Sequence, residues 1–286
     1  MPFFPIRDDN PAHRLPLVTF GIIGLNVISL IWLSRLNPVE QQLVVFQRGF
    51  IPARIGAMLR GEPIELKIGQ TMRHPRFRVP LQVVRTIKLP SPPRQVLTSL
   101  VTTMFLHAGW GHLVGNMWFL LIFGNNVEDR LGHVAFLVFY LLGGLLGTAG
   151  HWVQDPASLT PVVGASGAVA AILGAYAVTW PLARIHTLIL LGCIPLFFDF
   201  PSLVVLGVWF VVQLLSARAA IGVDMTGGVA FLAHVCGFVA GAVLMPVARR
   251  FIPDHSPRPI PRWGVEEDED KPRFLDEDDW DRGPLV

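Results

Sequence analysis

The sequence predicts an all-α membrane protein with six transmembrane helices, and three observations lead to this fold class. The 286 residues are 52% hydrophobic, with a mean hydropathy of +0.50. Only 15% are charged, whereas soluble domains carry about 25%. Between residues 97 and 248 the charged side chains are Glu128, Asp129, Arg130, Asp155, Arg184, Asp199, Arg218 and Asp224. Because a charge is costly within lipid, this stretch is predicted to lie in a bilayer.

The same composition excludes several other classes of protein. Its apolar content excludes intrinsic disorder between residues 97 and 248. A net charge of +2, with no basic stripe along a helix, argues against nucleic-acid binding. Cys193 and Cys236 are too few for a disulfide framework. We expect neither a metal site nor a cofactor.

Six apolar runs supply the predicted helices, since a membrane helix takes about 20 mostly apolar residues. In chain order they are Leu17–Leu33, His112–Phe123 with a lead-in from Leu97, Val134–Val153, Val162–Leu182, Leu203–Ser216 and Gly227–Val247. Arg35 follows the first run without a cleavage-site pattern, so we interpret that run as a retained span. Pro195 and Asp199 interrupt a further apolar segment, Leu188–Phe198, which we interpret as a membrane-edge loop. A seventh span is the competing interpretation.

Six spans place both termini on one side of the membrane, and the short connections indicate which side. Their basic residues are Arg130, Arg184, Arg249 and Arg250. The connection 151–161 has no Lys or Arg, so the positive-inside rule predicts cytoplasmic termini in a cell membrane. Arg218 and the basic segment 37–96 argue the other way, although long segments translocate largely regardless of charge.

We therefore predict three parts: a cytoplasmic segment 1–16, a membrane domain 17–249 and a tail 250–286. Within the membrane domain, the long first loop 37–96 is predicted to lie partly on the membrane surface, because its apolar patches alternate with basic residues. The tail carries 11 acidic and six basic residues and several prolines. Such a composition predicts disorder.

Small residues recur at helical spacing in three of the predicted spans. They are the pair Gly143 and Gly147, the set Gly167, Ala171 and Gly174, and the pair Gly237 and Gly241. Faces of this kind let helices approach closely in lipid. We expect the fourth and sixth spans to pack through them.

Polar side chains inside a span are functional hypotheses by default. The candidates are His107, His112, Asn116, His151, Ser166 and His234. Ser166 opens the fourth span, where a helix N-terminus offers free backbone N–H groups, and Gly164 allows close approach of another chain. His234 lies beside glycines in the sixth span, so it can come within hydrogen-bond reach of Ser166. A serine next to a base is the minimal nucleophilic unit.

His112 and Asn116 stand four residues apart and share one helix face. Together with the Ser166 backbone N–H they could form an oxyanion hole, although hydrogen bonding between helices also accounts for the pair. The runs that supply Ser166 and His234 contain no Asp or Glu. The sequence therefore predicts a Ser–His dyad in place of a triad, with the histidine oriented by packing and neutral partners.

These motifs together resemble the rhomboid family of intramembrane serine proteases over about residues 97–248. The resemblance depends on five motifs in order and spacing, with a bacterial-type opening at Pro5–Pro11. They are Phe105–Trp110, His112-x-x-x-Asn116, Phe123–Gly132, Gly164-Ala165-Ser166-Gly167 and Ala233-His234-x-x-Gly237-x-x-x-Gly241.

The resemblance implies a six-helix bundle with a water-filled cavity and a serine endopeptidase that cleaves single-span membrane proteins. Ser166 would be the nucleophile and His234 the base, with His112, Asn116 and the Ser166 N–H holding the oxyanion. The fifth span would act as a lateral gate. The residues with supporting roles would be His107, Glu128, Arg130, Gly164, Gly167, Gly237 and Gly241, of which Glu128 and Arg130 match a pair that pins the loop between spans two and three.

Two positions depart from the pattern of some family members. Thr98 and Ser99 stand where those members carry Trp-Arg, which puts the anchoring of the long first loop in question. Ala170 stands where they carry a tyrosine stacked on the histidine, so any stacking partner must come from elsewhere.

Two alternative functions stay open from the sequence alone. A protein on the same fold could be a non-catalytic chaperone, binding protein or transporter, since fold does not fix function. The histidines could instead supply two axial ligands to a haem. The sequence leaves the oligomeric state, the natural substrate and the scissile bond unspecified.

Overall fold

The computed structural model describes residues 3–73, 80–191, 194–219 and 230–253, and most of them are helical. The helices are α1 (Leu17–Ser34), α2 (Pro38–Arg48), α3 (Ala53–Arg60), α4 (Pro93–Thr102), α5 (Trp110–Leu131), α6 (His133–Gln154), α7 (Ser166–Thr179), α8 (Ser202–Ala219) and α9 (Phe231–Phe251). The strands are β1 (Phe3–Asp8), β2 (Ile64–Arg73), β3 (Pro80–Leu89), β4 (Arg184–Leu191) and β5 (Ile194–Pro201). The predicted tail from residue 254 onward lies outside the described residues.

Each of the six predicted spans overlaps one helix. Four of these helices, α1, α6, α8 and α9, are long and apolar enough to cross a membrane. The fourth run forms the shorter apolar helix α7, and the second run lies in α5, whose last turn carries charged residues. A multi-pass membrane protein is confirmed, and the number of six spans stays a prediction.

The second span differs from its predicted bounds. The lead-in from Leu97 is not part of it, because α4 and a 3₁₀ turn at Thr103–Phe105 precede α5. The connection predicted at residues 125–133 is helical up to Leu131, and Gly132 alone separates α5 from α6. Gly132 has a φ of 78°, a backbone conformation that glycine adopts more readily than other residues. The chain can therefore reverse direction within this one residue.

The segment Leu188–Phe198 is neither a loop nor a seventh span in the described residues. β4 and β5 pair antiparallel, and β1 adds to the other edge of β4 to give the order β1-β4-β5. β-branched and aromatic residues favour strands here. Asp8 in β1 accepts hydrogen bonds from Tyr176 Oη at 2.6 Å and Asn126 Nδ2 at 2.5 Å, so the strand is bound to α5 and α7.

The first loop, residues 37–96, is also more structured than predicted. It contains α2, α3, the antiparallel hairpin β2–β3 and the start of α4. Arg54 is fully buried there. Its guanidinium donates to the carbonyls of Phe46, Gln47 and Pro90 and to Gln95 Oε1, at 2.9–3.4 Å. Arg54 thus anchors this loop. Sequence reasoning did not identify this arginine when it noted that Thr98 and Ser99 replace the Trp-Arg pair of some family members.

Side chains at the end of α5 form hydrogen bonds with the start of α1 and with the backbone that follows α9. Glu128 accepts hydrogen bonds from the Val18 and Thr19 backbone N–H groups at 2.8 and 2.7 Å, and so caps the N-terminus of α1. It also pairs with His133 Nδ1 at 2.6 Å, directly after the reversal into α6. Arg130 donates to the carbonyls that follow α9, at 3.5 and 3.3 Å.

The centre of the bundle is α7, where every residue from Gly167 to Ala177 is buried. It meets α9 backbone to backbone. A methyl group added at Gly237 would lie 2.2 Å from the Gly167 carbonyl oxygen, and one at Gly241 would lie 1.8 Å from that of Ala171. The predicted packing of the fourth and sixth runs through small residues is confirmed.

We predict that Gly241→Ala destabilises the protein by about 1–3 kcal/mol, as overpacking typically does, because the new methyl group overlaps the Ala171 carbonyl. Thermal unfolding in detergent micelles measures the change. Gly115→Ala in α5 is the matched control, since no atom of the described residues lies within 4 Å of its added methyl group. Equal melting temperatures for the two variants would contradict the close approach of α7 and α9.

Candidate active site

Ser166 is the first residue of α7, and the extended backbone before it is held on two sides. Val162 exchanges backbone hydrogen bonds with Phe50, at 2.8 and 3.2 Å. Thr103 donates its hydroxyl to the Val162 carbonyl and accepts from Gly164 N at 2.9 Å. The first loop and the 3₁₀ turn therefore fix the position from which α7 starts.

Gly164 brings this backbone against the polar face of α5. Residues other than glycine rarely adopt its φ of +128°. A methyl group added there would lie 2.7 Å from His112 Cε1, 3.0 Å from His112 Nε2 and 3.6 Å from Asn116 Nδ2. The structure thus places His112 and Asn116 beside the chain two residues before Ser166.

His107 supports these two side chains from the loop before α5. Asn116 Nδ2 lies 2.9 Å from His107 Nε2, and the rings of His107 and His112 meet edge to face with centroids 5.2 Å apart. One N–H of the Asn116 amide is engaged by this contact, and an amide carries two. The second can therefore point to another acceptor.

His234 lies in the first turn of α9, and three side chains surround its ring. Its Nδ1 is 2.8 Å from Gln213 Oε1 of α8. The ring centroids of Trp209 and Phe231 lie 6.1 and 6.3 Å from that of His234. Trp209 and Phe231 therefore flank the ring of His234, whereas some family members use a tyrosine at the position of Ala170. His234 Nε2 is buried and has no hydrogen-bond partner among the described residues.

Backbone contacts bring the start of α7 to the start of α9. Gly237, one turn after His234, packs on the Gly167 carbonyl. A methyl group added at Gly147 in α6 would lie 2.7 Å from the Ala233 carbonyl oxygen and 3.2 Å from Gly167 Cα. The residues adjacent to His234 and to Ser166 therefore converge on one small residue of α6.

This arrangement provides the parts of a nucleophilic site. Ser166 offers a hydroxyl, and His234 offers a nitrogen without a partner. The first backbone N–H groups of α7 lack an intrahelical acceptor, and no side chain caps this end of the helix in the described part of the chain. Together with His112 and Asn116 they can donate to an oxygen that gains negative charge.

Sequence reasoning missed Gln213, Trp209 and Phe231. Gln213 alone carried a detectable signal, because it is an amide within the apolar run Leu203–Ser216. His151, also a candidate, lies in the last turn of α6, and its described contacts do not join it to the other site residues. No group of three or more His, Cys, Asp or Glu that could hold a metal occurs in the described ranges.

Comparison with known proteins matches residues 94–251, more than half of the chain, to the rhomboid domain. The chain is 31% identical over 166 residues to Rhomboid-like protein 11, chloroplastic, of Arabidopsis thaliana, covering 53% of this chain and 52% of that protein. It is 32% identical over 176 residues to Rhomboid-like protease 3 of Toxoplasma gondii, covering 58% and 56%.

A third relative is the Putative rhomboid protease YdcA of Bacillus subtilis, 38% identical over 77 residues, which cover 27% of this chain and 38% of that protein. The chain spans about half the length, or less, of these three curated relatives.

We predict that Gly164→Ala destabilises the protein by about 1–3 kcal/mol, the usual cost of a residue held in a sparsely populated backbone region. The methyl group would also displace the His112 ring. Melting temperature is the readout, and Gly109→Ala is the control because its added methyl group lies more than 4 Å from the atoms of the described residues. A Gly164→Ala protein as stable as the control would show that this backbone does not contact His112.

Proposed function

The chain belongs to the rhomboid family, and from this premise we propose that it is an intramembrane serine endopeptidase with Ser166 as nucleophile and His234 as general base. One observation carries the proposal. The contact of α7 with α9 brings the first turn of α7, which begins at Ser166, close to the turn of α9 that carries His234. The Nε2 of His234 is buried and has no hydrogen-bond partner among the described residues, Ser166 included.

The reaction follows from the roles of these groups. His234 Nε2 takes the proton from Ser166 Oγ as this oxygen attacks the substrate carbonyl. His112, Asn116 and the Ser166 backbone N–H stabilise the oxyanion of the tetrahedral intermediate. His234 then returns the proton to the leaving amine, and an acyl-enzyme forms. Water, deprotonated by His234, releases the carboxyl product and restores the serine.

The proposed substrates are transmembrane segments of single-span proteins. An intact helix engages its own carbonyls in hydrogen bonds, so small or helix-breaking residues near the scissile bond should favour cleavage. The proposed setting is a bacterial cell membrane with both termini in the cytoplasm. Relatives are named for chloroplasts and mitochondria as well, and the basic short connections support the orientation.

The two alternatives account for less of the site. A non-catalytic binding protein gives no reason for the buried nitrogen of His234 that has no described partner, and it would bind membrane proteins without cutting them. A haem would use histidine nitrogens, but it gives no reason for Ser166 and its neighbouring glycines at the start of α7. A Soret band in the purified protein would favour the haem.

We predict that Ser166→Ala and His234→Ala each abolish cleavage of a single-span substrate in proteoliposomes, because each removes one half of the nucleophilic unit. Gel analysis of the products measures the loss. Thr148→Ala, which removes a buried hydroxyl from α6, serves as the control and should cleave. Undiminished cleavage by Ser166→Ala would refute the proposal.

We predict that Asn116→Ala lowers kcat about 10²- to 10³-fold, the range seen when one oxyanion donor is removed. KM should change little, since the interaction forms in the transition state. Asn125→Ala, on the same helix nine residues away, is the matched control and should keep its kcat. A change confined to KM would assign Asn116 to substrate binding.

A further inference from the structure

We propose that Gln213 is a positioning residue that holds His234 in the tautomer with its proton on Nδ1. This inference rests on the proposed function and names a third member of the same site. Gln213 is on α8, which lies in the sequence between the nucleophile helix α7 and the base helix α9, and no sequence motif drew attention to it. Its side chain is buried, with 7% of the residue exposed.

The hydrogen bond determines the tautomer. A neutral imidazole has one N–H and one nitrogen that accepts. Gln213 Oε1 is a carbonyl oxygen and can only accept, so His234 Nδ1, at 2.8 Å, must be the donor. The proton is then absent from Nε2, which is left with its lone pair. Nε2 is the nitrogen that has no described partner, as a base awaiting a hydroxyl proton requires.

Contacts between α8 and α9 hold the amide in place. Phe210 and Phe238 stack with ring centroids 4.8 Å apart, and Trp209 lies 6.0 Å from Phe238 and 6.1 Å from His234. Gln213 is one turn beyond Trp209, so it lies on the same face of α8. The acceptor and the ring are thus fixed by one packed surface.

A neutral amide suits this environment. In a soluble triad a carboxylate accepts from the same nitrogen and sets the same tautomer. A carboxylate within lipid would carry the cost of a buried charge, whereas an amide selects the tautomer without one. The absence of acidic residues from the runs that supply Ser166 and His234 is therefore compatible with an oriented base.

The direct test is nitrogen NMR of the full chain in lipid nanodiscs with all nine histidines labelled with ¹⁵N. The His234 signals are assigned by their loss in His234→Ala. We expect Nδ1 to be protonated in the wild type, and the two tautomers to mix in Gln213→Met, which keeps the side-chain volume and loses the acceptor. A wild-type ring protonated on Nε2, or a tautomer unchanged in Gln213→Met, would overturn the inference.

A kinetic test uses the rate of Ser166 labelling by a fluorophosphonate. Gln213→Met should slow this labelling about 10- to 100-fold, the range seen when the outer-shell partner of a metal-bound histidine is removed. In cleavage of a single-span substrate, the same variant should lower kcat and leave KM unchanged. Gln213→Glu restores an acceptor and should label faster than Gln213→Met, but more slowly than the wild type because its carboxylate is within lipid. Asn26→Leu, which removes another fully buried amide from α1, is the control and should label normally.

The two proposals fail in different ways. If the wild type is not labelled at Ser166, the proposed function fails while the NMR result still decides the tautomer. If the wild type is labelled and Gln213→Met labels at the same rate, the role of Gln213 fails and the dyad stands. A Gln213→Met protein that does not fold leaves the wild-type tautomer and the Gln213→Glu rate as the deciding measurements.

Discussion

The backbone contact between α7 and α9 is the constraint on which the rest of the structure depends. Helices in lipid gain little from the hydrophobic effect and associate by close packing. Here glycines on both helices remove the side chains that would keep the backbones apart, at Gly167 and Gly174 on one and Gly237 and Gly241 on the other. Each glycine lowers helix propensity by about 1 kcal/mol. The contact offsets this cost and brings the turn of α9 that carries His234 to the first turn of α7.

The first loop, residues 37–96, also supports the start of α7. Arg54 ties the backbone around Phe46 to that around Pro90, and Phe50 lies within the segment so fixed. Phe50 and Thr103 then hold the strand that leads into Ser166. The composition predicted that this loop lies partly on the membrane surface. Its contacts show that it also holds the segment that leads to the proposed nucleophile.

Much of the membrane domain could be predicted from the sequence, because the cost of charge and polarity in lipid is a strong signal. It located the six apolar runs, and it singled out Ser166, His234, His112 and Asn116 from a small number of intramembrane polar groups. The β4–β5 hairpin was missed because its residues are as apolar as a span, and only pairing with β1 distinguishes the two. Arg54 was missed because its acceptors are mostly backbone carbonyls, which no motif records.

The central claim is that Ser166 is a nucleophile activated by His234. The most direct measurement is the mass-spectrometric location of the covalent adduct after the native chain, in lipid nanodiscs, reacts with a fluorophosphonate. The account predicts an adduct on the peptide that contains Ser166 and its loss when His234 is replaced. An adduct on a different serine, or a Ser166 adduct that forms equally fast without His234, would contradict it.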